Sequence, residues 1–340
     1  MIPNLQMPKF IKPFLLCLTM LLLATLLSIA VGAVFIGPLD VLQTLTGQAA
    51  NDTFKTIILD IRLPRTALIL LTGAALAGSG ASYQGLFRNP LADPYLIGVA
   101  SGAGLGAVLA MSIQWPYSFF GLMAVPLAAF LAGMLTVFLV YSVARVGQSV
   151  PTTNLILAGT VFSSFATALT SFLMLRSNGE LRRALGWLLG GVSIGGWEAV
   201  LALLPYTILG LTMLTLSGHA LNLLQFGDEQ AQQMGLNVSR AKTIILIAAS
   251  LTTAAAVAFA GIIGFVGLIV PHIVRIWWGG DYRRLIPLSI IGGAAALLLA
   301  DVLARVVIAP QELPIGVVTA LAGSPFFLWV LRRAKNQGYW

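Results

Sequence analysis

The chain has 340 residues, of which 58% are hydrophobic and only 9% charged, and its mean hydropathy is +0.94. A water-facing domain carries about 25% charged residues, so most of this surface must face lipid or protein. The single cysteine, Cys17, excludes an internal disulfide framework and a cysteine-based metal site. The net charge of +8 is read below as a consequence of membrane insertion, which makes nucleic acid a poor partner.

About 20 apolar residues cross roughly 30 Å of hydrocarbon, so uncharged stretches mark the spans. No linker or composition shift divides residues 1–340, which form one membrane domain. The first run follows Lys9 and Lys12 and stays uncharged from Pro13 to Leu39. It exceeds the 7–15 residues of a signal-peptide core and reads as a retained helix. The expected spans are 13–36, 66–87, 94–112, 119–144, 150–175, 199–217, 243–262, 264–277, 285–303 and 313–331. The second carries the small-residue run Gly73–Ala81, and the third sets Gly98, Gly102 and Gly106 four apart on one face. Small residues let membrane helices approach closely, so tight packing is expected of both. The stretch 94–144 is divided at Ser112–Ser118, with Pro116 and interfacial aromatics. The stretch 243–274 is divided near Gly261–Gly264, ahead of Pro271. Residues 219–241 are the one substantial polar loop on their side. The fold class is an all-α integral membrane protein of about ten transmembrane helices.

Lysine and arginine set the orientation. With both termini cytoplasmic, Lys9, Lys12, Arg88, Arg145, Arg240, Lys242, Arg275, Arg283, Arg284, Arg332, Arg333 and Lys335 lie inside. The outer side keeps Lys55, Arg62, Arg65, Arg176, Arg182, Arg183 and Arg305. The bias supports this arrangement.

Chemistry is sparse. Glu198, Asp301 and His272 are placed near helix ends, and no proton relay crosses the membrane centre, as ion-coupled transporters usually require. No lysine follows a glycine, so a P-loop is excluded. No paired carboxylates, HExxH or Cys/His cluster appears, so no catalytic or metal residue is assigned. Transport energy must come from another subunit. An ion-coupled secondary transporter of a bulky solute is the alternative reading, and a membrane-embedded enzyme or scaffold is a weaker third.

The segment Gln84-Gly85-Leu86-Phe87-Arg88-Asn89-Pro90-Leu91-Ala92-Asp93-Pro94 follows Arg62-Leu63-Pro64-Arg65. Further on stand Gly264-Phe265-Val266-Gly267-Leu268-Ile269-Val270-Pro271-His272, Leu299-Ala300-Asp301 and Glu312-Leu313-Pro314-Ile315-Gly316-Val317-Val318-Thr319. With these ordered motifs, over about residues 15–333, the chain resembles the FecCD permeases. That family, which includes vitamin B12 importer permeases, imports iron-siderophores, vitamin B12 and haem by ATP-driven transport. The resemblance implies a ten-helix subunit of type II ABC importer architecture in the bacterial cytoplasmic (inner) membrane. It implies a homodimer with the path at the subunit interface, two ATPase subunits that bind ATP and Mg, and an extracytoplasmic substrate-binding protein. No cofactor belongs to this chain.

The resemblance also implies residue roles. Arg62, Arg65 and Arg305 match outward arginines that pair with glutamates of the binding protein; snorkelling anchors are the plainer reading. Arg176, Arg182 and Arg183 have no such match and read as a solvated loop face. Gly227, Asp228, Glu229, Ala231 and Gly235 match a coupling helix, with acids in its first turn and a glycine at its end; an ordinary capped loop helix has the same pattern. Thr152 and Thr153 match the cytoplasmic gate, and Asn89 and Leu91 its second narrowing. Pro151 and Asn154 depart from the family pattern beside the gate. An iron chelate is the favoured substrate, followed by cobalamin and then haem.

Overall fold

The structure, a computed structural model, describes residues 11–32, 34–47, 52–113, 115, 119–147, 150–176, 181–191 and 196–337. Ten helices carry the fold: α1 (Ile11–Ala30), α2 (Leu63–Leu86), α3 (Val99–Met111), α4 (Phe119–Ala144), α5 (Thr152–Arg176), α6 (Trp197–Leu216), α7 (Val238–Ala260), α8 (Val266–Trp278), α9 (Tyr282–Val306) and α10 (Ile315–Gln337). Among the described residues, α1, α4, α5, α6, α7 and α9 are long and apolar enough to cross a membrane, and α3, α8 and 315–330 are shorter apolar helices. The ninth residue, Lys9, lies outside the described residues, as do Gln114 and Pro116–Ser118 of the turn before α4.

At the centre is α2, packed against α6, α7, α8 and α9 and buried without a break from Thr72 to Leu86. Its small-residue run explains the position. A Cβ on Gly73 would strike the Gly293 carbonyl of α9, and one on Gly80 would strike the Gly267 carbonyl of α8. Backbones this close leave room only for hydrogen, and van der Waals contact replaces the missing hydrophobic drive between helices in lipid. The expected stripe on α3 also packs: Gly102 and Gly106 sit against Ala128, Ala132 and Thr136 of α4, and Gly98 sits against Ser163 of α5.

By contrast, α1 is peripheral. Pro13, Cys17, Ala24 and Ser28 turn inward, spaced for one helical face, while Leu22, Leu23 and Leu26 are more than half exposed. Such a leucine face suits the bilayer.

Several boundaries differ from expectation, and one helix is additional. Helix α1 ends at Ala30, not at 36; its last carbonyls are taken by arginines from elsewhere in the chain. Residues once expected to finish the span instead lead to short helices at Pro38–Leu45 and Asp52–Thr56 and a π-helix at Ile57–Arg62 that runs into α2. Helix α3 starts at Val99, not at 94, because 87–98 is irregular chain held against the bundle. Within it the Tyr95 hydroxyl donates to the Ile263 carbonyl (2.8 Å) and accepts from the Ile263 amide (3.2 Å). It thereby satisfies backbone groups in the α7–α8 connection (261–265), where non-helical chain needs protein partners. Finally, Leu181–Leu188 is a short amphipathic helix where only a loop was expected. It buries Trp187 and exposes Arg182 and Arg183.

Candidate docking, gating and coupling sites

The three arginines expected at an outward rim converge at the C-terminal end of α1. The last carbonyls of a helix have no intrahelical donor and attract cations. Arg62 donates Nη1 to Ile29 O (2.7 Å) and Ala30 O (2.9 Å), and Nη2 to Val34 O. Arg305 donates Nη1 to Val31 O (3.0 Å) and Nη2 to Ser28 O and Ser28 Oγ (both 3.1 Å). A planar five-donor fork suits this shared capping better than an ammonium could.

Asp301 locks the cluster together. It is fully buried, and its Oδ1 accepts from Arg65 Nε (3.0 Å) and Nη2 (2.8 Å). Its Oδ2 lies 3.0 Å from Arg305 Nη2, an ion pair without hydrogen-bond alignment. Arg65 also pairs with Glu312 Oε2 at 2.7 Å. A buried carboxylate is tolerated only when paired and hydrogen-bonded, and here two arginines meet that condition.

Exposure separates the three. Arg62 and Arg305 are each only 6% exposed, their donors turned to the end of α1. Arg65, with a side chain 21% exposed beside the half-exposed Glu312, reaches the surface. Asp301, which looked like a polar residue near a helix end, is the buried anchor of the set. His272, placed near a helix end from sequence, leaves its buried Nδ1 without a hydrogen bond among the described residues and packs edge-on against Phe326 of α10.

At the other end of the bundle the polar loop folds as Gly218–Leu224, then Asp228–Gln233, then α7. Gly227 (φ 102°) leads into the second helix, with Asp228 and Glu229 in its first turn. Gly235 (φ 88°) follows its end, where the Leu236 amide reaches back to Ala231 O (3.0 Å). Left-handed backbone at such a position is what glycine allows. Ala231 is fully buried in the core cluster that also holds Leu221 and Leu224. Lys242 of α7 pairs with Asp228 at 2.5 Å. The segment is thus pinned from below, while Glu229, Gln230, Gln232 and Gln233 point outward. Phe226 and Met234 flank it, 64% and 49% exposed. Sequence reading missed both, because a lone apolar residue in a polar loop carries no periodic signal.

Next to this loop, Asp281 caps α9. Its hydrogen bonds from Arg283 hold the carboxyl down at about 2, with a smaller contribution from Asn222.

Of the residues expected at the gate, Asn89 is exposed and folds an Asx turn, its Oδ1 accepting from the Leu91 amide at 2.8 Å. Thr152 opens α5 and lines a small cavity with Leu86, Tyr141 and Lys242, while Thr153 is exposed. The two departures have visible roles. The Pro151 carbonyl accepts the Leu155 amide (3.1 Å), and Asn154 Nδ2 donates to Ala144 O (3.4 Å), tying α5 to the end of α4.

Comparison with known proteins extends this picture to the whole chain. The FecCD transport family profile matches residues 20–333. The cobalamin import system permease BtuC of Halobacterium salinarum is 44% identical over 281 residues, 83% of this chain and 74% of that one. The hemin transport system permease HmuU of Yersinia pestis is 40% identical over 324 residues, 93% and 95% of the two chains. Among solved structures, an inward-facing ABC transporter assigned to the metal-chelate type superposes with a TM-score of 0.83 at 30% identity, covering 95% of this chain and 100% of that one. Permeases of this kind are not enzymes and hold no cofactor, and ATP is hydrolysed by a separate subunit. A bundle that pins a short exposed helix at one end and has no phosphate-binding loop of its own fits that division of labour, and the chain belongs to the FecCD transport family as the permease subunit of an ABC importer.

Proposed function

We propose that two copies of this permease form a homodimer whose interface carries an iron-siderophore or related metal chelate, cobalamin or haem, inward by alternating access. What carries the reading is the exposed face of α5. Thr153, Thr160, Ser164, Thr167 and Ser171 recur at helical spacing and are all exposed in the single chain. Thr160, Ser164 and Ser171 each donate to the carbonyl four residues earlier, at 2.9, 3.0 and 2.9 Å. Their donors are satisfied and their lone pairs remain for water or solute. The exposed side of α1 is mainly leucine, with Phe14, Met20 and a single hydroxyl, Thr19, so it has no such stripe. A hydroxyl-lined path with few charges suits a bulky solute that a separate protein selects. The relatives named for cobalamin and hemin support that substrate class.

Both termini lie in the cytoplasm. There two ATPase subunits engage Gly227, Asp228, Glu229, Ala231 and Gly235, with Phe226 and Met234 as anchors. The path narrows at Thr152 and Thr153 and again at Asn89 and Leu91. On the opposite side the binding protein docks through Arg65 and its surroundings, while Arg62 and Arg305 hold α1 in place behind it. Rim charges of this kind steer encounter more than they add affinity.

The test is uptake into vesicles containing the permease, its ATPase and loaded binding protein. ATP should drive vanadate-sensitive accumulation of the chelate, and Ser164→Trp on the α5 face should block it. Uptake driven by an ion gradient without the ATPase, or full uptake through Ser164→Trp, overturns the reading.

A further inference from the structure

Helix α2 closes its last turn with two reaching-back bonds. The Arg88 amide donates to Gly85 O (3.2 Å) and the Asn89 amide to Gln84 O (3.0 Å). This pattern puts the residue after the helix cap in left-handed backbone, a place taken by glycine or sometimes asparagine. Here it is an arginine, Arg88, at φ 49°. Among the described residues the other non-glycine with positive φ is Phe265 (φ 70°), whose ring packs against Gly323 of α10. Arg88 has no such packing. Its side chain is exposed, and among the described residues it makes no hydrogen bond or ion pair. Left-handed backbone strains a residue with a Cβ, and strain of this kind gathers where a partner or ligand is met.

The tip of the side chain has a defined neighbour. A Cβ on Gly227 would lie 3.4 Å from Arg88 Nη1, so the guanidinium stands at the start of the Asp228–Gln233 helix. Phe226, just before Gly227, is 64% exposed. Of the two acids in the first turn of that helix, Asp228 is held by Lys242 at 2.5 Å, and neither pairs with Arg88. The fork of five donors is therefore left open beside the segment that the bundle presents outward, and its geometry matches a carboxylate.

We infer that Arg88 extends the surface that meets the ATPase, and that its guanidinium pairs there with a carboxylate of that subunit. This rests on the proposed engagement of the Asp228–Gln233 segment by the ATPase. Continuity with that segment favours the ATPase over an anionic lipid headgroup, since the exposed Glu229 on the same turn repels a phosphate.

Binding of the ATPase subunit to the purified permease in neutral detergent, followed by biolayer interferometry at low and high salt, tests this. Arg88→Gly should weaken binding about fivefold at low salt, and the difference should shrink as salt rises. The melting temperature of that variant should not fall, because glycine accepts this backbone freely. Arg88→Lys, which keeps the charge on the same backbone, should bind more tightly than Arg88→Gly. Normal binding by Arg88→Gly, a lowered melting temperature, or an Arg88→Lys variant no better than Arg88→Gly would each overturn the contact. A loss confined to bilayers containing anionic lipid would overturn it in favour of a headgroup. The Phe226→Ala/Met234→Ala variant separates this inference from the reading beneath it. If that variant is weakened and Arg88→Gly is not, the Arg88 contact alone fails; if both bind normally, the segment itself is not where the ATPase sits.

Discussion

The two ends of the bundle handle charge in opposite ways. At the end where α1 stops and α9 finishes, three arginines and two acids converge, and nearly every polar atom is spent inside: Arg62 and Arg305 on the carbonyls of α1, Asp301 on two guanidinium groups. At the other end, one buried alanine and one ion pair pin a six-residue helix, and the rest of its side chains stay free of the bundle. The first arrangement stiffens the protein; the second presents a surface. Residues that look equally like partner sites in the sequence therefore divide into brace and interface once their hydrogen bonds are placed.

The comparison can be broken most forcefully at Asp301. Asp301→Ala leaves Arg305 buried beside Arg65 without its carboxylate, and breaking a buried pair costs about 3–5 kcal/mol. Thermal unfolding of the purified permease should show that loss with no partner present. At the opposite end, Phe226→Ala with Met234→Ala should leave unfolding within about 0.5 kcal/mol of the parent. The same double variant should weaken ATPase binding by about 2 kcal/mol or more, as truncated anchors do. A titration of the ATPase subunit by fluorescence anisotropy measures it. Arg65→Ala, where the arginine–carboxylate cluster reaches the surface, should slow association of the proposed binding protein, most visibly at low salt. Stopped-flow association rates at two salt concentrations check this.

Smaller effects sharpen the contrast. Lys242→Ala removes a partly exposed ion pair and should cost at most about 1 kcal/mol, although it frees the base of the Asp228–Gln233 helix. The Asp281 cap adds a pH criterion. Its folded-state value of about 2 lies below an unfolded carboxyl near 4, so its contribution is complete above about pH 4 and fades only as pH falls toward 2. Melting temperatures between pH 5 and 8 should show no inflection from this cap.

Much of the architecture is legible in the sequence because membrane physics writes it plainly. Uncharged length marks the helices, and Gly102 and Gly106 four apart announce a contact that α4 fills. Gly261 and Gly264 mark the break between α7 and α8. What is not legible depends on residues far apart in the chain. Arg65 and Asp301 are separated by 236 positions, and nothing local tells that they bond or that the end of α1 is set by Arg62 and Arg305. Helix α1 accordingly looks longer in sequence than it is. Phe226 and Met234 escape for the opposite reason, since they belong to no repeating pattern and their meaning lies in being exposed. For Gly227, Asp228, Glu229, Ala231 and Gly235 the local pattern of acids and glycines was readable, but only the fold reveals that Ala231 faces in while its neighbours face out.

The central claim is that the buried arginines brace the fold whereas the coupling segment meets a partner. Arg305→Ala decides it most directly, with the melting temperature of the permease measured alone in detergent. The account predicts a clear fall, equivalent to about 3 kcal/mol, before any binding protein is added. An unchanged melting temperature together with lost binding-protein docking would contradict it and return Arg305 to the outer surface as a contact residue.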